Sequence, residues 1–308
     1  MSSQPTQLPP FLQAGDTIGI VAPARKVSEE EMQPAIQWLT KEGFQVLEGE
    51  HLYAENNQFG GTESERTKDF QSMLDNPEVK AILCARGGYG SVRIIDRLDF
   101  SNFIQNPKWI CGFSDITVFH SHVNRNCHIA TLHSTLAINI PNNTPAANTS
   151  FLDALRGKPL TYSGPSHPLD HPGEVTAEVV GGNLSMLYSL LGSNSDIDTE
   201  GKILFIEDLD EYLYHIDRMM MNLKRNGKLE NLAGLVVGAL SDMHDNTIPF
   251  GKTAEEIVAE HCANYDYPVG FGFPAGHIKD NRAFVIGGKA RLEVHDTNSV
   301  FSYNPQQQ

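Results

Sequence analysis

The sequence predicts an α/β protein with two domains, the first built on a parallel sheet that has helices on both faces. In the first half of the chain, strand-like segments that are apolar throughout alternate with helical segments, which is typical of such a sheet. The chain has 308 residues, more than a single hydrophobic core usually holds. A polar segment rich in turn formers, from about 142 to 173, separates the halves and is predicted to be a linker.

Four strands and four helices are predicted in the first half. The first two helices have the spacing of a capping box, with Ser28 and Glu31 in one and Thr62 and Glu65 in the other. A glycine-rich loop, RGGYG at 86–90, follows the third strand. The predicted strands cover 16–24, 44–51, 79–86 and 108–114, and the predicted helices cover 28–43, 62–77, 91–99 and 115–126.

The second half is more mixed. Strands are predicted at 174–182, 202–209, 233–240 and 267–277, with helices at 183–192, 211–227 and 253–265. Residues 284–294 have the pattern of a hairpin with Gly287 and Gly288 at its turn. One helix has an apolar stripe that we expect in the core; its members are Leu213, Ile216, Met220 and Leu223. We therefore predict an N-terminal domain over 1–165, ending in the linker, and a C-terminal domain over 166–308.

Composition excludes some classes of partner. The net charge is −15, and such an acidic surface repels phosphate backbones, so we do not expect nucleic-acid binding. The N-terminal residues lack the basic and apolar regions of a secretory signal. No apolar run reaches the roughly 18 residues of a membrane span. A cytoplasmic protein without membrane contact is expected.

Cysteine and histidine spacing does not indicate a metal site. The chain has no CxxC, and buried reduced thiols are expected at Cys84, Cys111, Cys127 and Cys262. Three histidines near one helix, at positions 120, 122 and 128, lack the spacing of a zinc motif. We expect neither a metal nor a cofactor.

The segment GFSD, at 112–115, places Ser114 between the fourth strand and the following helix. Ligands of open α/β sheets gather at the carboxyl ends of the strands, and a serine at such a corner is lifted toward solvent. The N–H of Asp115, in the first helical turn, is free to donate to an oxyanion. Ser114 can therefore be a nucleophile or a helix cap, and this segment alone leaves both interpretations open.

The RGGYG loop lies at a second corner of this kind. It matches neither a phosphate loop nor a dinucleotide fingerprint. Glycines allow backbone N–H groups to approach a ligand closely. If the third and fourth strands are neighbours, Gly87 or Gly88 can supply an oxyanion donor beside Asp115; a simple tight turn is the alternative.

A hydroxyl nucleophile needs a base and a carboxylate that orients the base. His277 follows a predicted strand in a glycine-rich loop, and Glu207 follows the apolar run 203–206. Both therefore stand at carboxyl ends of strands, the edge where Ser114 also lies. A surface histidine and a solvated acid are the alternatives.

Taken together, these motifs resemble the LD-carboxypeptidases of the peptidase S66 family of serine peptidases. The resemblance covers nearly the whole chain in the same order. It rests on GFSD at 112–115, IED at 206–208, YHIDR at 214–218 and GFPAGH at 272–277, supported by APAR at 22–25, RGGYG at 86–90 and GGNLSML at 181–187.

The resemblance implies a flavodoxin-like N-terminal domain that carries the serine and a smaller C-terminal β/α domain that carries the other two residues. It implies a catalytic triad of Ser114, Glu207 and His277, with the N–H groups of Asp115 and Gly88 as oxyanion donors. The reaction would release the terminal D-alanine of a cytoplasmic muropeptide at an L,D amide bond. A homodimer without a cofactor is also implied.

Two questions stay open at this point. Arg86, beside the glycine loop, is a candidate for binding a substrate carboxylate, but a structural ion pair is an equal alternative. The function also has alternatives: a microcin-immunity type of peptidase from the same family, a two-domain binding protein without catalysis, or a nucleotide-binding domain that uses RGGYG.

Overall fold

The computed structural model describes residues 5–308, which form two β-sheets flanked by eight α-helices. The strands are β1 (Thr17–Val21), β2 (Gln45–Glu48), β3 (Val79–Cys84), β4 (Trp109–Gly112), β5 (Thr131–His133), β6 (Leu160–Pro165), β7 (Gly173–Asn183), β8 (Ile203–Leu209), β9 (Gly234–Ser241), β10 (Val269–Gly270), β11 (Phe284–Ile286), β12 (Lys289–Val294) and β13 (Asn298–Tyr303). The helices are α1 (Glu29–Lys41), α2 (Glu63–Asp75), α3 (Ser101–Gln105), α4 (Thr117–Cys127), α5 (Pro145–Leu155), α6 (Leu184–Leu190), α7 (Leu213–Arg225) and α8 (Ala254–Cys262).

The first sheet has the strand order β11-β5-β4-β3-β1-β2. Its five strands from the first half are parallel, and β11 adds to β5 in the antiparallel direction. The order β2-β1-β3-β4-β5 is that of flavodoxin-like folds. The predicted parallel sheet and its fold class are therefore confirmed, and β3 and β4 are neighbours as the oxyanion argument requires.

The second sheet is mixed, with the order β10-β9-β8-β7-β12-β13-β6. Strands β7 to β10 pair in parallel, whereas β12, β13 and β6 form an antiparallel extension beyond β7. The carboxyl ends of β7 and β8 meet at one edge, where Asn183 stands opposite Glu207. This edge faces the first sheet and supplies half of the site described below.

Local signals in the sequence account for much of this structure. Both predicted capping boxes are present, at Ser28 with Glu31 and at Thr62 with Glu65. The methionine-rich stripe of α7 packs in the core of the second domain, as predicted, although Leu213 is only partly buried. All four cysteines are free thiols, and Cys127 alone is only partly buried.

Four predictions of secondary structure are corrected. Residues 91–99 form two short 3-10 helices instead of one α-helix, because neither has a side-chain cap and three of the residues are β-branched. The predicted linker contains α5 and β6; Thr144 caps α5, and Pro145 is its first residue. The predicted strand 267–277 contains only the two residues of β10, since Pro268 and Pro274 cannot donate to a ladder.

The predicted hairpin at 284–294 is wrong in its pairing. β11 lies in the first sheet and β12 in the second, so the two strands do not pair with each other. Gly287 and Gly288 instead form the crossing between the sheets, where the N–H of Gly287 donates to Val179 O of β7 and the N–H of Val179 donates to Gly288 O.

The predicted domain division at residue 165 stays a prediction. Each half of the chain contributes one strand to the sheet formed mainly by the other half. β6 precedes residue 165 but pairs with β13 in the second sheet. β11 belongs to the second half but completes the first sheet. Over residues 5–308, no helix has the length and apolar character needed to cross a bilayer.

Candidate active site

Ser114 stands at the corner between β4 and α4. It opens a 3-10 turn, Ser114–Ile116, that leads directly into α4. Its φ is +65°, a left-handed conformation that non-glycine residues rarely adopt and that concentrates at functional sites. The backbone strain lifts the hydroxyl out of the sheet toward the space between the two domains.

His277 and Glu207 complete a hydrogen-bonded chain with this serine. His277 Nε2 lies 3.1 Å from Ser114 Oγ, and His277 Nδ1 lies 2.8 Å from Glu207 Oε2. With the proton on Nδ1, the ring donates to the carboxylate and accepts from the serine hydroxyl. The three side chains come from the turn after β4, from β8 and from the loop after β10, so they converge across the boundary between the sheets.

Burial makes this chain of hydrogen bonds electrostatically strong. Glu207 is completely buried, and its second oxygen, Oε1, has no hydrogen-bond partner within residues 5–308. Burial by itself lowers the pKa of His277, but the hydrogen bond and the charge of Glu207 outweigh burial and raise that pKa above its ordinary value of 6.5. An imidazolium is therefore stabilised at this position.

Asp115 links the turn that begins at Ser114 to the glycine-rich loop. Its carboxylate accepts the N–H of Ser91 at 2.8 Å, which fixes the end of that loop against the start of the 3-10 turn. Burial raises the pKa of Asp115 above the ordinary range of an aspartate. Its own N–H lies in the first helical turn, where N–H groups have no partner within the helix.

The glycine-rich loop lies against the serine, as its place in the sheet predicts. An ideal Cβ on Gly87 would lie 3.3 Å from Ser114 Cβ and 3.4 Å from Ser114 Oγ, so this glycine leaves the hydroxyl accessible. Gly88 follows it on the exposed side. Arg86 forms an ion pair with Glu31, with Arg86 Nη1 3.6 Å from Glu31 Oε1.

An open cleft of about 590 Å³ lies over these groups, between the two domains. Ser114 and His277 lie in its floor. Its walls differ in charge: Arg25 and Arg86 line the side of the first domain, and the acidic residues Asp208, Asp210 and Glu211 line the side of the second. The cleft is therefore suited to a substrate that carries both signs of charge.

Asp208 is held in place by amide donors. Its carboxylate accepts from Asn183 Nδ2 at 2.9 Å and from the Ser185 N–H at 2.8 Å. Burial, followed by the charge of the neighbouring Glu207, raises the pKa of Asp208 to about 7. No sequence pattern separates Asp208 from the other acids of its segment.

Two further residues under the site were not found from the sequence. Asn281 is buried, and its Oδ1 accepts the N–H of Gly276 at 2.8 Å, one residue before His277.

His133 lies beneath the site, where Phe113 packs against both His133 and His277. Burial lowers the pKa of His133 well below 6.5, so its ring is neutral. His133 stands at the end of β5, and Asn281 lies four residues after the GFPAGH motif. These positions are the only signal in the sequence that points to either residue.

Comparisons with known proteins agree with this architecture. The family model for the LD-carboxypeptidase N-terminal domain matches residues 18–134, and the model for the LD-carboxypeptidase C-terminal domain matches residues 176–292. A probable murein peptide carboxypeptidase of Bacillus subtilis is 36% identical over 95% of this chain and 93% of its own length.

Two other relatives show how much of the chain the similarity covers. A crystal structure of a muramoyltetrapeptide carboxypeptidase from Oxalobacter formigenes has a TM-score of 0.86 and 25% identity, covering 94% of this chain and 98% of that one. A microcin self-immunity protein of Escherichia coli is 25% identical over 93% of both chains. The similarity therefore extends through both domains.

Proposed function

The chain belongs to the peptidase S66 family of serine-type LD-carboxypeptidases, and from this premise we propose that it releases the terminal D-alanine of murein tetrapeptides. The bond cleaved is the amide between an L-configured centre and that D-alanine. Ser114 acts as the nucleophile, His277 as the general base and Glu207 as the carboxylate that orients it. The relatives named for murein peptides support this substrate class.

The first step transfers the proton of Ser114 Oγ to His277 Nε2 while the oxygen attacks the scissile carbonyl carbon. The separation of 3.1 Å between these two atoms is within hydrogen-bond reach. General-base action of this kind contributes on the order of 10²–10⁴-fold to the rate. Glu207 stabilises the imidazolium that forms and keeps the proton on Nδ1; it does not itself become protonated.

The tetrahedral oxyanion then needs N–H donors. The N–H groups of Asp115 and Gly88 are the proposed pair, with Gly87 beside them, because all three residues line the cleft with Ser114 and an ideal Cβ on Gly87 would contact Ser114. One such donor contributes roughly 10²–10³-fold. The hydrogen bond from the Ser91 N–H to the Asp115 carboxylate links the glycine-rich loop to the turn that carries Asp115.

The intermediate collapses when His277 donates its proton to the leaving nitrogen of D-alanine. The peptide remains esterified to Ser114. Water then attacks the ester, with His277 again taking the proton, and the tripeptide leaves with a free carboxylate. The observation that carries this proposal is the chain of hydrogen bonds from Ser114 through His277 to the fully buried Glu207.

The charges of the cleft favour a peptide over a nucleotide-bearing substrate. Asp208, Asp210 and Glu211 on one wall attract a cationic side chain, such as that of a diamino acid, and repel a phosphate. The acidic wall therefore favours a peptide with a diamino acid over the microcin-type alternative.

The test measures the products formed from a mixture of muropeptides by mass spectrometry. We expect the wild-type protein to remove one alanine residue from tetrapeptides only, and Ser114→Ala and His277→Ala to remove none. A fluorophosphonate probe should label the wild-type protein and not Ser114→Ala. Unchanged tetrapeptide with wild-type protein, or release of alanine by Ser114→Ala, would contradict the proposal.

Assembly and location stay predictions. We expect a cytoplasmic homodimer, as the sequence resemblance implies, and light scattering of the purified protein measures the dimer directly.

A further inference from the structure

A carboxypeptidase must recognise the free carboxylate of its substrate, and the cleft offers two arginines for this purpose. Arg86 already has a carboxylate partner, Glu31. Arg25 also lines the cleft and is exposed. Within residues 5–308, Arg25 has no carboxylate partner in a salt bridge. Its guanidinium is therefore available to bind an anion that enters the cleft.

The backbone and side chain of Arg25 place it beside the nucleophile. Its N–H donates to Gly87 O at 3.3 Å, which ties it to the glycine-rich loop. An ideal Cβ on Gly88 would lie 2.5 Å from Arg25 Cδ and 3.0 Å from Arg25 Nε. The stem of Arg25 therefore runs directly over Gly88, and only glycine leaves room for it there.

We propose that Arg25 binds the terminal carboxylate of the leaving D-amino acid and so restricts cleavage to the last bond of the peptide. This inference rests on the proposed function. The carboxylate belongs to the residue that follows the scissile carbonyl, and neighbouring residues have Cα atoms about 3.8 Å apart. Arg25 covers Gly88, and the adjacent Gly87 borders Ser114, so Arg25 lines the cleft on the same side as the hydroxyl, next to the loop residue that contacts it.

The charge distribution strengthens the argument. The protein has a net charge of −15, and the opposite wall of the cleft carries Asp208, Asp210 and Glu211. The acidic wall repels a carboxylate that enters this cleft, and the arginine wall attracts it. A planar guanidinium also matches a carboxylate with two parallel hydrogen bonds.

The experiment compares two ligands, the tetrapeptide with its free terminal carboxylate and the same peptide with a terminal carboxamide. Both are tested with wild-type protein, Arg25→Gln, Arg25→Lys and Arg86→Gln. Arg97→Gln is the control, since Arg97 is an exposed partner of Glu63 outside the cleft.

We expect Arg25→Gln to lower kcat/KM for the free acid roughly 10- to 150-fold, the range for a hydrogen bond to a charged group. Hydrolysis of the carboxamide should change less than about threefold, since that ligand has no charge to lose. Arg25→Lys should fall between wild type and Arg25→Gln, because a lysine keeps the charge without the paired geometry. Arg86→Gln and Arg97→Gln should leave the ratio between the two ligands near its wild-type value.

Titration calorimetry in the Ser114→Ala background measures binding without turnover and separates the two proposals. A loss of affinity for the free acid alone in Arg25→Gln supports the carboxylate site even if the wild-type protein releases no D-alanine, a result that would contradict only the proposed function. Equal losses for both ligands, no loss, or a larger selective loss in Arg86→Gln would overturn the assignment to Arg25.

Discussion

At the scale of single residues, the pKa of His277 connects the structure to a measurable pH dependence. The hydrogen bond and charge of Glu207 raise this pKa above 6.5 in spite of burial. The ion pair therefore stabilises the folded protein fully below the unfolded pKa of histidine, and that contribution is lost as the pH rises through the folded pKa. The rate of the proposed reaction has the opposite pH dependence. It rises with pH, because His277 must be neutral to accept the proton of Ser114.

Replacing Glu207 should separate these two effects. In wild-type protein, kcat/KM should rise with pH through a midpoint above 6.5. In Glu207→Gln we expect the midpoint to move to lower pH, because burial persists without the carboxylate, and kcat to fall roughly 10⁴-fold, because the tautomer is no longer held. Profiles of kcat/KM against pH check both, with the exposed Glu174→Gln as control. A midpoint that stays in place would show that Glu207 does not set this pKa.

Sequence reasoning reached some site residues and not others for a physical reason. Ser114, Glu207 and His277 each follow a strand-like run, and the carboxyl ends of strands gather at one edge. Asn281 has no such signal, because its importance depends on a contact with Gly276 that no periodicity records. Arg25 does follow the first predicted strand, but its position over Gly88 is a contact that the pattern does not show. The catalytic roles themselves stay proposals until the variants are measured.

At the scale of elements, the loop between β10 and β11 carries His277, the proposed base, and Asn281 accepts a hydrogen bond within that loop. We expect Asn281→Ala to leave the buried Gly276 N–H without an acceptor, which costs about 1–3 kcal/mol of stability. Because His277 is the next residue, kcat should fall about 10- to 100-fold while KM stays nearly constant.

Steady-state kinetics and urea denaturation measure this prediction. Lys279→Ala, at an exposed position of the same loop, is the matched control and should behave as wild type. An increase in KM with normal kcat would mean that Asn281 contacts substrate instead of holding the loop.

Elements with a local signal were predicted, and those that depend on distant partners were not. The capping boxes of α1 and α2 are local, so both helices follow from the sequence. β11 and β12 have the pattern of a hairpin but pair with β5 and β7. A turn signal specifies where the chain bends, whereas the partner of each strand is decided by which sheet has an open edge.

At the scale of the whole molecule, a close contact between β7 and α4 joins the two domains beside the active site. The N–H of Asn183, at the end of β7, donates to Thr117 Oγ1 at the start of α4 over 3.0 Å. An ideal Cβ on the preceding Gly182 would lie 2.5 Å from Thr117 Oγ1 and 2.9 Å from Thr117 Cγ2. Close approach of the domains therefore requires glycine at this position.

We expect Gly182→Ala to push α4, and Ser114 with it, away from the second domain. Overpacking of this kind costs about 1–3 kcal/mol, in addition to about 1–2 kcal/mol for a side chain at positive φ. Gly192→Ala is the control, because Gly192 has a φ of +77° and open space around it. Thermal unfolding should show the larger loss in Gly182→Ala, with a fall in kcat that Gly192→Ala lacks.

A second substitution tests whether the clash is the cause. Thr117→Ala in the Gly182→Ala protein removes the two atoms in closest conflict and should recover part of the lost stability. If it recovers none, the contact between β7 and α4 does not set the spacing of the domains.

The position of β11 has a consequence for when the enzyme becomes active during its synthesis. The outermost strand of the first sheet is supplied by Phe284–Ile286, and the base at His277 lies only a few residues earlier in the chain. A ribosome has therefore made almost all of the polypeptide before that sheet is complete or an imidazole can reach the serine. A nascent chain that stops before residue 277 carries the proposed nucleophile without the proposed base, so we expect truncated translation products to have no hydrolytic activity.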